Sequence, residues 1–144
     1  MDINNMDQEI AHHAAHAVEV CQGKTVSKLD FSPDSLEPLQ QYIVEASAGF
    51  AAMSDEQKSA LVADLGSYVL EVARRNVGGA YAWFTKREQP VLVVGEPNYR
   101  VIFVAWDKVS SRLAGDVGAK IPFHYRLLLH HISQAKKDTS VLCV

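Results

Sequence analysis

The apolar residues of this chain change rhythm at Gly78–Gly79, and that change constrains the fold more than any other feature. Before the glycine pair they recur every three to four residues, the spacing of one helix face. After it, "AYAWFT", "PVLVV" and "RVIFVAW" are β-branched or aromatic runs with a two-residue rhythm. The separators "KREQ" and "GEPN" have the length and turn residues of hairpin connections, so the runs predict an antiparallel meander. Three strands need a covering layer, and the preceding helices supply one. The expected class is α+β: helices packed on a three-stranded antiparallel β-meander, with a C-terminal helix.

The first helix lies in "DQEIAHHAAHAVEVCQG", alanine-rich and closed by Gly23. Met6, Ile10, Ala14, Ala17 and Cys21 share one face, with Val18 beside them; Glu9, His12, His16 and Glu19 fall on the opposite, solvated face. "TVSKLDF" reads as an extended connector or edge strand. A second helix follows, with Ser32 and Ser35 as candidate caps. Pro38 favours the later start, because in a first turn its missing N–H costs nothing. Leu36, Leu39, Tyr42, Ile43, Ala46 and Phe50 line its apolar side.

"SDEQ" at 54–57 matches a capping box and opens the third helix. Leu61, Val62, Leu65, Tyr68, Val69, Val72 and Ala73 form its stripe; Asp64, Ser67, Glu71, Arg74 and Arg75 gather on the other side. Gly66, at the margin, permits close approach of another element. Arg74 and Arg75 complement the helix dipole, Glu71 pairs with Arg75 at i,i+4, and Asn76, Gly78 and Gly79 end the helix. Tyr81 and Trp83 share one face of the first strand and Phe84 points to the other. Phe103 is expected inward, with Trp106 closing the last strand from the opposite face. "DKVSSRLAGD" reads as a short amphipathic helix with Val109 and Leu113 inward. "IPFHYRLLLHHISQAKK" is a final helix, with Pro122 in its first turn, lysines at its end and His124 a packing residue. "TSVLCV" is an apolar tail, either frayed or docked as an extra strand.

At 144 residues the chain is one domain, 1–144, with the first helix (1–23) expected to be peripheral. Its net charge of −3 argues against nucleic acid, which needs a basic surface to replace condensed counterions. The start "MDINNMDQEI" lacks a signal peptide's basic and apolar regions, and no run approaches a membrane span. Cys21 and Cys143 have no CxxC spacing and are expected as unpaired thiols in the cytoplasm.

"LDFSPDSLEPL", "LGSYVLEVARRNVGGAYAW", "VAWDKVSSRL" and "IPFHYRLLLHHI" together resemble a family of small bacterial proteins carrying a domain of unknown function. The resemblance runs from Leu29 to about Ile132. Its motifs are capping and packing residues, so it implies no catalytic residues. One departure is Leu70, where the family pattern has a glycine before the glutamate. By analogy, small proteins of this kind resemble immunity proteins, which occupy the active site of a cognate toxin.

Enzymatic signatures are absent: no GxSxG, no nucleotide-binding glycine pattern and no cysteine beside a histidine motif. The metal candidate is the first helix, where His12 and His16 stand at i,i+4 between Glu9 and Glu19. The partner-binding candidates are Glu71, Arg74, Arg75, Tyr81 and Trp83, the last two forming an exposed patch if one sheet face is uncovered. The expectation is a non-enzymatic cytoplasmic module for a protein partner, of immunity type, with no cofactor, nucleic acid or membrane. The alternatives are a metal- or small-molecule-binding domain, an enzyme of unrecognised type, or a homo-oligomer.

Overall fold

The computed structural model describes Met1–Val144. Its elements in chain order are α1 (Met6–Cys21), α2 (Leu36–Phe50), α3 (Asp55–Val77), β1 (Ala80–Phe84), β2 (Gln89–Val94), β3 (Arg100–Phe103), α4 (Trp106–Leu113), α5 (Ile121–Ser133) and β4 (Ser140–Cys143). Ser54 caps α3 as its pattern predicts: the hydroxyl accepts from Gln57 N, and the Gln57 side chain accepts from Ser54 N. At the other end Gly78 takes φ +81°, a conformation other residues rarely adopt, and its N–H donates to Arg74 O at 2.9 Å. For α2, Ser35 is the cap position and Pro38 lies in the first turn. The Ser32 hydroxyl caps the single 3-10 turn just before it.

Helix α3 is the centre of the fold. Every residue from Ala63 to Ala73 is buried. This corrects the two-sided reading of that helix, in which Asp64, Ser67 and Glu71 faced solvent. Helix α1 packs chiefly along α3 and covers its polar flank, burying Ile10, Ala14, Ala17 and Cys21. It is therefore an integral part of the core rather than a peripheral arm. A Cβ on Gly66 would overlap the Trp106 indole, with Trp106 Cγ at 2.9 Å, so the bare glycine is what seats α4 against α3.

The sheet has the order β1-β2-β3-β4. Strands β1, β2 and β3 form the expected antiparallel meander, with Ala82 opposite Val91 and Val93 opposite Ile102. The tail then adds a fourth strand parallel to β3, with Ile102 opposite Leu142, after the crossover through α4 and α5. The sheet is thus mixed and the chain ends in a strand, not a helix. "TVSKLDF" forms no strand. Trp106 begins α4 instead of closing β3, because Val104 and Ala105 already turn the chain. Helix α5 ends at Ser133, short of the lysines.

Inward residues Leu92, Val94, Val101, Phe103 and Cys143 join the helices in one core. His124 belongs to this layer: its ring stacks on Phe103 at 4.7 Å, and its Nε2–H donates to Val104 O at 2.6 Å. The outward residues Val91, Val93 and Val104, with Ala82, Phe84 and Ile102 against them, form a separate cluster that contains no helix residue.

Candidate functional site

Glu71 sits one turn before the end of α3 and is 2% exposed. Its Oε1 accepts from Arg74 Nε at 2.8 Å and from Tyr81 Oη at 2.6 Å. Its Oε2 accepts from Arg74 Nη2 and Arg75 Nε, both at 3.1 Å. Burial alone would raise this carboxyl, but the bonds from Arg74, Tyr81 and Arg75 outweigh it and bring it down to about 2. Burial, and then the bond to Glu71, push the Tyr81 phenol up.

The Arg75 guanidinium lies 3.7 Å over the Phe31 ring, which stacks on Tyr68 at 4.7 Å. Phe31 holds φ +63°, an uncommon conformation for a bulky side chain, with its N–H on Tyr68 Oη and its carbonyl on Asn76 Nδ2. Four of the five sequence candidates, Glu71, Arg74, Arg75 and Tyr81, are thus brought together. They form a clamp tying α3 to β1 and to the connector before α2. With two bonds on each oxygen the carboxylate has no acceptor site free for a ligand or a proton transfer.

Trp83 is not part of this cluster. Tyr81 and Trp83 point toward the helices and pack on the main core, so they do not form a patch on the uncovered sheet face. That correction follows from the sheet's sidedness: the helices cover the face that carries the larger aromatics.

The second constellation went unseen in the sequence. Asp64, on α3 with its side chain 10% exposed, accepts from His13 Nδ1 at 2.8 Å and also bonds His16 Nδ1. The bond to Asp64 and then its charge raise the His16 imidazole above its ordinary value, against a smaller desolvation effect. His12, the proposed metal partner of His16, is exposed and has no bond to Asp64. Nowhere do three or more His, Cys, Asp or Glu side chains converge as metal ligands. The histidines that bond across to α3 are therefore His13, half-buried, and His16, still largely exposed, at i,i+3 on α1. A signal was present: His13 lies three residues after buried Ile10 and four before Ala17, at the edge of the buried stripe. Asp64 gave none, because its partners come from another helix.

With Nδ1–H committed to a carboxylate, each imidazole keeps Nε2 as its free nitrogen. His13 contacts the Trp106 indole edge-on at 6.4 Å and lines an open groove of about 750 Å³ with Trp83 and Trp106.

On the outer side of the sheet, one apolar row crosses all four strands: Ala80, Val93, Ile102 and Leu142. Phe84 and Ile102 are half-buried, and Leu142 is 41% exposed. No protein-family model, curated protein or solved structure matches the chain.

Proposed function

We propose that this chain is a cytoplasmic protein-interaction module that docks a basic partner protein on the outer face of its sheet. One observation carries the reading: β2 is apolar on both of its faces, and the outer cluster contains no helix residue. Its valines are shielded by their neighbours, while Phe84 and Ile102 stay half-buried and Leu142 exposed. Open-faced antiparallel sheets ordinarily alternate apolar with polar residues, whereas a strand apolar on both sides is a strand meant to be covered twice. Four strands of about five residues present roughly 300 Å² on one side, well below the ~800 Å² per partner of a stable interface. A second copy seated on this face alone would be too small a contact. A larger partner that also engages the charged rim fits better, and the net charge of −3 favours a basic one. The resemblance to immunity-type proteins points the same way, with a toxin as the class of partner. No helix is long and apolar enough to cross a membrane.

The test combines capture with one substitution at the centre of the row. A tagged chain is expected to retain one basic protein from lysate of its own cells at fixed stoichiometry. Ile102→Lys, at a half-buried position, is expected to abolish retention while costing about 1–2 kcal/mol in a thermal melt that stays cooperative. Retention that survives Ile102→Lys, or light scattering that shows a homodimer broken by it, overturns the proposal.

A further inference from the structure

The chain has two tryptophans, and both line the groove between α1, the first half of α3 and the turn joining β1 to β2. Trp83 comes from β1 and Trp106 from the start of α4, so two elements distant in sequence deliver them to one place. Trp106 is held by the close approach at Gly66 and by His13 against its edge. Glu9 and Glu88 are the charged side chains of the lining. No Lys or Arg reaches it, so the side-chain carboxylates of Glu9 and Glu88 have no Lys or Arg opposite them in the groove. Indole is the aromatic ring whose face attracts cations most strongly. His13, its Nδ1–H donated to the buried Asp64, is fixed in place on the wall of the groove.

We propose that this groove binds an organic cation, an alkylammonium or guanidinium group, seated on the Trp83 and Trp106 indoles. Glu9 and Glu88 compensate its charge. The groove is separate from the outer sheet face, which lies on the opposite side of β1 from Trp83. Two sources carry this chemistry: a free small amine, or a lysine or arginine side chain of another protein.

Because the chain holds no other tryptophan, fluorescence excited beyond the tyrosine band reports the surroundings of these two indoles, both of which line the groove. Choline is titrated against its uncharged isostere, in which a tert-butyl group replaces the trimethylammonium. A saturable change is expected with choline and with N-acetyl-lysine amide, and not with the isostere. Glu88→Gln, at an exposed position, is expected to weaken choline by about fivefold without moving the thermal melt. A lysine-bearing peptide that binds about tenfold more tightly than N-acetyl-lysine amide assigns the group to a protein side chain, and equal affinity assigns it to a free amine. Three results overturn the proposal: no saturable change with either cation, an equal response to the isostere, or unchanged choline affinity in Glu88→Gln. Loss of partner capture in Ile102→Lys is a separate readout, so each proposal can fail alone.

Discussion

Glu71 shows how one side chain can look like a site and act as a joint. An acid beside two arginines and a glycine turn suggests recognition, yet each of its oxygens is already spoken for by two donors. Its folded carboxyl titrates at about 2, below the ordinary 4.5, so it contributes stability that is present above 4.5 and lost as pH falls toward 2. Glu71→Gln is expected to cost about 2–3 kcal/mol near neutrality and to flatten that acid limb, read by denaturant melts at pH 7 and pH 3. Tyr81→Phe removes a single bond and is expected to cost about 1–2 kcal/mol. An unchanged acid limb in Glu71→Gln would show that the clamp carries no net energy. His124 has a separate window. Burial lowers its imidazole to about 4, against the opposing bond to Val104 O. Its contribution is complete above 6.5 and is lost as pH falls from 6.5 to about 4, before the Glu71 limb ends. These residues were legible only in part. Spacing along one helix put Arg75 next to Glu71, but Tyr81 arrives from a strand and could not be read from helix periodicity.

Elements fared better than side chains. The capping box, the proline in the first turn of α2 and the glycine stop of α3 are local signals, and each ends up where local chemistry puts it. Gly66 is the instructive case. Its sequence position announced a close approach without naming what approaches. The answer, Trp106, lies 40 residues further on (106 − 66) and starts a helix where the strand pattern had continued. Gly66→Ala is expected to destabilise by about 1–3 kcal/mol through overpacking and to shift the tryptophan emission, because the added methyl meets the indole. Wild-type stability and emission in that variant would mean α4 is not seated on α3 as described. The histidines of α1 follow the same logic. Helical spacing assigns residues to faces correctly, but it does not say which polar edge a neighbouring helix will cover.

For the whole molecule, the terminal strand links both ends of the chain to one core. Cys21 on α1 and Cys143 on β4 are unpaired, each 1% exposed, and burial pushes both thiols up to about 11. Neither is expected to react with a thiol reagent at neutral pH until the structure opens. Strand β4 is short and lies at the sheet edge, so local fraying exposes Cys143 before Cys21. Mass spectrometry of partly labelled protein should therefore find the label on Cys143 first. Immediate labelling of both, or of Cys21 first, would contradict the packing of α1 and β4.

The amino-acid sequence by itself determined the class of the fold, the start of α2, both ends of α3 and the three-strand meander. These follow from periodicity and capping, which act within a few residues. Tertiary structure alone decided that α1 covers the polar flank of α3, that the tail pairs in parallel with β3, and that His13, His16 and Asp64 meet. It also turned Trp83 and Trp106 toward a shared groove and left the other sheet face without a covering helix residue in its apolar cluster. Such choices depend on which surfaces of distant segments compete for one another. A periodic pattern tells a side chain which face of its own element it occupies, and says nothing of what will lie against that face.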